Sequence, residues 1–381
     1  MPPLALLAIP AAILLDTVRP PVLGPEIFRA ADSIAAAEFA KDSLGSISVG
    51  IVSGPALVWT ASYGFEDRAR TRPATPATVY RVASLTKQLT AIMLLQLAEA
   101  GRLQLSDPAE RWLPEIRRVR GRPPGSAPPT LVQLATMTSG LARDPDDGRR
   151  SQRGLPAEWE RSLAAALPAT SYAAPPGTRY RYSNIGYAIL AAALARASGE
   201  RYVPWVERHL LRPLGMSGSG FELTPALAGR LATGVDWDEL LPDTLNYADA
   251  AEDHRTGLGF GVASGGLYST VGDVAKLVAF ELGFGPAGIL RPETLAARET
   301  VPVAAAASLD YGYGLGFQAY RWGDVTAAGH SGNLAGYTAQ VMYDTRRGFG
   351  VIVLRSAAGG QADAGRLAVR VFRRIRAALP E

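Results

Sequence analysis

The sequence predicts an α+β protein in which one antiparallel sheet is assembled from both ends of the chain, flanked by helices, with a large, mainly helical region inserted between the ends. Three observations lead there. Short runs rich in branched and aromatic residues occur at 46–52 and 57–63, then return only after residue 311. Helical apolar spacing brackets those runs, at 26–41 and again at 362–378. The stretch between reads as helices broken by Pro- and Gly-rich loops such as 122–129 and 175–177.

Taken in order, residues 2–15 are a short apolar run similar to the core of an export signal, although no Lys or Arg precedes it and no clean A-x-A site follows. Residues 1–25 are therefore a candidate signal or N-terminal arm, and an exported location, periplasmic or extracellular, is expected, with a cytoplasmic location as the alternative. The rest, 26–381, reads as one domain, with a sheet subdomain from 26–81 and 291–381 and a helical subdomain from 82–290. The two early runs, with Ser53-Gly54-Pro55 between them, form a hairpin. Residues 84–100 (SLTKQLTAIMLLQLAEA) are apolar nearly all round after the first turn, so this helix is expected to be buried. A helix starts near Thr270, with Asp273 completing an approximate capping box. Strands are expected at 315–320, 325–329, 338–343 and 350–354, and an amphipathic helix closes the chain.

Composition removes several classes of function. A net charge of +4, dispersed along the chain, gives no footprint for nucleic acid. No segment reaches the roughly 18 apolar residues of a membrane span. Cysteine is absent and histidine is limited to His209, His254 and His330, so thiol chemistry is excluded and a histidine-rich metal site is not expected. No metal or organic cofactor is called for. Of 39 basic residues only Lys41, Lys87 and Lys276 are lysine. Arginine keeps its charge at any workable pH, whereas a buried lysine can be tuned to lose its proton, so each lysine is informative here.

Three clusters could carry chemistry. In Ser84-Leu85-Thr86-Lys87, residues three apart at a helix start share a face, which brings a hydroxyl and an amine within reach. Serine becomes a useful nucleophile only when a neighbour accepts its proton, and a lysine lowered toward neutrality can do so. Tyr182-Ser183-Asn184 offers a phenol to relay protons and an amide to hold a carbonyl or the lysine. His330-Ser331-Gly332 follows an expected strand, where glycine permits close approach of a ligand. Singly, each has a bland alternative: an N-cap serine, a packing tyrosine, a structural histidine.

Together and in this order, as SLTK, YSN and HSG, they resemble the serine β-lactamase and penicillin-binding family, especially class C β-lactamases, the D-alanyl-D-alanine peptidases grouped with them, and related esterases. The resemblance extends to 101–115, 130–141, 175–187, 212–216 and 265–274, and covers the chain from about residue 30 onward. Met137 stands where many members have histidine, and the third motif is H-S-G, not K-T-G, which is closer to peptidases and general hydrolases of the group than to dedicated β-lactamases.

The resemblance implies an acyl-enzyme on Ser84, with Lys87 and Tyr182 moving protons and Asn184 orienting the lysine and the substrate. It implies that His330, Ser331 and Gly332 meet a substrate carboxylate or polar tail, and that the backbone N–H groups of Ser84 and Asn333 form the oxyanion hole. The partner is a small-molecule or peptide substrate: a D-amino-acid peptide, a β-lactam or a short ester. The loops 144–153 and 236–256 are expected to set the pocket width. A carboxylesterase of the same fold and a non-catalytic penicillin-recognising sensor are the alternatives. An α/β-hydrolase is excluded because no G-x-S-x-G occurs, and Gly312-Tyr313-Gly314 lies in a strand-like run, not a nucleotide loop.

Overall fold

A computed structural model describes residues 19–147, 151, 154–237, 245–248, 258–322 and 325–380. The apolar run 2–15, His254, and parts of the loops 144–153 and 236–256 lie outside them.

Seven strands form one wholly antiparallel sheet: β1 (Ser46–Ser53), β2 (Ala56–Gly64), β3 (Tyr311–Tyr313), β4 (Gln318–Trp322), β5 (Val325–Leu334), β6 (Tyr337–Asp344) and β7 (Phe349–Arg355). Their spatial order is β2-β1-β7-β6-β5-β4-β3. The N-terminal hairpin is joined to the C-terminal strands by the β1–β7 ladder, in which Val49 faces Val353. This fold is α+β, as the sequence predicts.

Alternation decides which side chain enters which core. Ile47, Val49 and Ile51 of β1, with Val351 and Val353 of β7, face two helices, α1 (Pro25–Phe39) and the C-terminal α5 (Ala364–Arg376). The α5 residues Leu367, Ala368, Val371, Phe372 and Ile375 are all buried, one apolar stripe at helical spacing. On the other face Val341, Tyr343, Ile352 and Leu354 join the larger core. That core contains α2 (Thr86–Glu99), α3 (Asn184–Ser198) and α4 (Val271–Glu281). Of these, α4 packs directly on β1 and β7. Strand β7 is covered on both faces, which is why Phe349–Leu354 reads as an unbroken apolar run.

Three elements differ from expectation. The strand expected at 315–320 begins only at Gln318, because Gly316 takes a left-handed turn (φ +80°) and the Leu315 carbonyl accepts a hydrogen bond from Arg298 Nε at 2.7 Å instead of joining a ladder. Strand β5, expected to stop at residue 329, continues to Leu334 because its pairing with β6 continues, Leu334 facing Tyr337. Polar residues there are held by the partner strand, not by their own β-propensity. The capping box at α4 is half formed: Thr270 caps the Asp273 N–H, but the Asp273 carboxylate binds Gly218 N and Ser219 Oγ instead.

The α5 stripe makes a direct prediction. Phe372 packs against Phe349 with the rings tilted and 4.8 Å between centroids. Truncation by Phe372→Ala is expected to cost about 3–5 kcal/mol in urea unfolding. A loss below about 1 kcal/mol would mean that this layer is not close-packed.

Candidate active site

The site forms where two largely buried helices begin against the C-terminal half of β5. The chain leaves a two-stranded ladder, Tyr80–Arg81 on Tyr268–Ser269, and turns at once into a 3-10 turn at Ala83–Leu85 ahead of α2. Ala83 takes a left-handed backbone (φ +50°), uncommon for a residue with a side chain. Thr86 holds the turn, its hydroxyl donating to Ala83 O at 2.7 Å and accepting from Leu267 N. Ser84 is thereby left half-buried between buried neighbours.

Lys87, one turn on, has no exposed surface. Its Nζ lies 3.1 Å from Ser84 Oγ, 2.9 Å from Asn184 Oδ1 and 2.7 Å from Ser264 O. An ammonium has three protons, and all three have partners. Asn184 opens α3, where Ser183 caps the helix by accepting from Gly186 N. Its Nδ2 donates to Asp144 Oδ1 at 3.0 Å. A carboxylate can only accept, so the amide nitrogen is fixed at Asp144 and the amide oxygen faces Lys87. Tyr182 bonds to Ser84, and its ring sits 4.9 Å from Lys87 Nζ and 4.9 Å from Arg143 Cζ.

On the strand side, Gly332 lies against the Ser84 turn. A Cβ there would stand 2.4 Å from Val82 O, so only glycine allows β5 this close. Ser331 and Asn333 alternate to the opposite face of β5 and bear on this side through their main chain; Asn333 is exposed. His330 shares the face of Gly332 but is wholly buried. Its Nδ1 is 2.6 Å from Ser331 O, a pure acceptor, so the proton is on Nδ1 and Nε2 accepts from the Tyr313 hydroxyl at 2.8 Å. Both ring nitrogens are thus engaged within the protein.

The β-lactamase family model matches residues 31–373. The chain belongs to the β-lactamase family. It is 31% identical over 281 residues to the human "Putative beta-lactamase-like 1", covering 72% of this chain and 53% of that protein. It is 31% identical over 259 residues to the D-alanyl-D-alanine-carboxypeptidase/endopeptidase AmpH of Escherichia coli (strain K12), covering 65% of this chain and 63% of the relative. The matched regions thus span between about half and two-thirds of those relatives' lengths. Among solved structures, the octameric penicillin-binding protein homologue from Pyrococcus abyssi superposes with a TM-score of 0.76 at 25% identity, over 90% of this chain and 76% of that one.

The electrostatics of this β-lactamase-family site shift its amine and its phenol in opposite directions. Burial, reinforced by the nearby Arg143 charge and opposed by Asp144, holds the Lys87 amine well below the ordinary lysine range. Burial pushes the Tyr182 phenol up, although Ser84 and Arg143 oppose it. The amine is therefore the readier base, and the phenol keeps its proton. Burial first, then the Lys87 charge, lowers His330 to about 3.

Three contributors escaped the sequence reading. Ser264 O and Asp144 lie far from Lys87 in sequence and show no motif of their own. Met137, which stands where many family members have histidine, accepts from Arg181 N at 2.7 Å with its carbonyl and from Ser183 N at 3.2 Å with its thioether, holding the segment that presents Tyr182. Its own backbone is left-handed (φ +59°).

Because His330 binds a proton less readily folded than unfolded, the unfolded state carries more protons between about pH 6.5 and 3, and stability falls as pH drops through that window. The slope is at most about 1.4 kcal/mol per pH unit for one group. His330→Gln is expected to flatten this acid limb in denaturation curves measured from pH 7 to 4. An unchanged slope would mean that His330 is charged in the folded protein.

Proposed function

We propose that this protein is a serine hydrolase that forms an acyl-enzyme on Ser84 and cleaves an amide or ester in a D-amino-acid peptide, a β-lactam or a short ester. The observation that carries the reading is the set of partners around Lys87 Nζ. Asn184 Oδ1 and Ser264 O can only accept, so a neutral Lys87 keeps its two protons on them and turns its lone pair to Ser84 Oγ. That arrangement suits removal of the serine proton.

In the proposed cycle, Ser84 Oγ attacks the substrate carbonyl carbon as its proton passes to Lys87 Nζ. The backbone N–H groups of Ser84 and Asn333 take the developing oxyanion, where one donor is typically worth about 10²–10³ in rate. The bond to the leaving group then breaks, and Tyr182 gives that group a proton, itself resupplied by Lys87. Water attacks the carbonyl carbon of the Ser84 ester, losing its proton to the same pair; the acyl–Oγ bond then breaks, the pair returns that proton to Ser84 Oγ, and the acid is released. Gly332 keeps β5 close enough for this, and Asp144 acts through Asn184 as a positioning residue. Peptidase action is favoured by the name of the Escherichia coli relative and by the H-S-G form of the third motif. Export is part of the same reading, supported by the apolar run 2–15.

Intact-mass spectrometry after incubation with a penicillin, and separately with an activated ester, tests this. One acyl group is expected on the wild-type protein and none on Ser84→Ala. A slowly released penicilloyl adduct indicates a penicillin-binding peptidase, fast release a β-lactamase, and an adduct that never releases a sensor. Lys87→Arg keeps the charge and loses the basicity, so acylation is expected to fall by at least about 100-fold. Acylation at a near-normal rate in that variant, or no adduct from either reagent, contradicts the proposal.

A further inference from the structure

A side-chain cation that recognises a substrate anion must be charged, reachable and fixed in place. The two basic groups inside the site each lack one of these properties. Lys87 is fully buried with three partners, and His330 is buried with its Nδ1 on a carbonyl and its Nε2 on the Tyr313 hydroxyl. Arg143 has all three. Its side chain is 65% exposed, so a ligand can reach it. It is held over the Tyr182 ring, Cζ 4.9 Å from the centroid, one ring away from Ser84 and Lys87. Its own carbonyl accepts Asn184 N at 2.8 Å, which ties it to the start of α3.

We propose that Arg143 is the anion-recognising residue of this site and selects substrates bearing a carboxylate close to the scissile bond. The inference rests on the acyl-transfer reading above and narrows its substrate class. Among the described residues the Arg143 guanidinium meets one carboxylate, Nε lying 3.5 Å from Asp144 Oδ2. Asp144 is also engaged by Asn184 Nδ2 at the shorter distance of 3.0 Å. The terminal guanidinium nitrogens form the flat edge that binds a carboxylate through two parallel hydrogen bonds. The ring beneath fixes the plane of that edge without using its N–H groups. Asp144, Asp146 and Asp147 nearby in sequence weaken the local positive potential, so the effect is set at about tenfold.

The test compares kcat/KM within two matched pairs of esters. The first pair, para-nitrophenyl hydrogen glutarate and its methyl ester, places the carboxylate on the acyl side. The second, meta-butanoyloxybenzoate and its methyl ester, places it on the leaving group. Because both members of a pair undergo the same attack, their ratio is insensitive to changes in Lys87 basicity. In the wild-type protein one pair is expected to favour the acid by about tenfold. That pair also identifies which side of the bond carries the anion. Arg143→Gln is expected to bring its ratio to about one, Arg143→Lys to retain part of it, and added salt to reduce it in the wild type only. A wild-type protein that hydrolyses the methyl esters with no preference for either acid, or a preference that survives Arg143→Gln, overturns the inference alone. A protein that hydrolyses neither methyl ester and gives no adduct on Ser84 overturns the hydrolase reading itself.

Discussion

Burying the Lys87 amine where two of its three hydrogen-bond partners can only accept is the constraint on which the surrounding geometry depends. A charged amine in a dry interior is costly, and the Arg143 charge nearby adds to the cost, so the proton is held loosely. The same burial keeps the Tyr182 phenol protonated. One environment thus pushes an amine and a phenol in opposite directions, dividing acceptor from donor with no histidine between them.

The rest of the molecule keeps that amine in place. Two buried helices start at the site, α2 carrying Lys87 and α3 carrying Asn184. Asp144 fixes which end of the Asn184 amide faces the lysine. Met137 holds the approach to Tyr182 with both its main chain and its sulfur. Strand β5 closes the other side, where Gly332 permits contact with the Ser84 turn and the His330–Tyr313 bond fills the space behind it. The sheet can hold this position because β1 and β7 join the two chain ends and both faces are covered.

Much of this was legible in the sequence wherever a local pattern had a single physical meaning. The period of the apolar residues marked α5, the branched and aromatic runs on either side of Ser53-Gly54-Pro55 marked the β1–β2 hairpin, and a nearly all-round apolar surface after the first turn marked α2 as buried. Ser84 and Lys87, three residues apart, could be paired from helical geometry alone. Tertiary choices were not legible. Nothing near Ser264 signals that its carbonyl receives Lys87, because a backbone acceptor has no residue type. The role of His330 depends on which nitrogen carries the proton, which is decided by Ser331 O and Tyr313 and not by the H-S-G triplet. The extension of β5 to Leu334 is likewise set by its partner strand.

The protonation of Lys87 can be measured without any substrate, because the chain has only two other lysines, Lys41 and Lys276. With lysine isotope-labelled at Cε and Nζ, three side-chain signals can be followed by NMR across the stable pH range. The account predicts that one of them titrates well below the roughly 10.4 of an ordinary lysine and that this signal is missing from Lys87→Arg. If all three titrate in the ordinary range, Lys87 is a charged structural residue, and a neutral amine facing Ser84 is not how this site works.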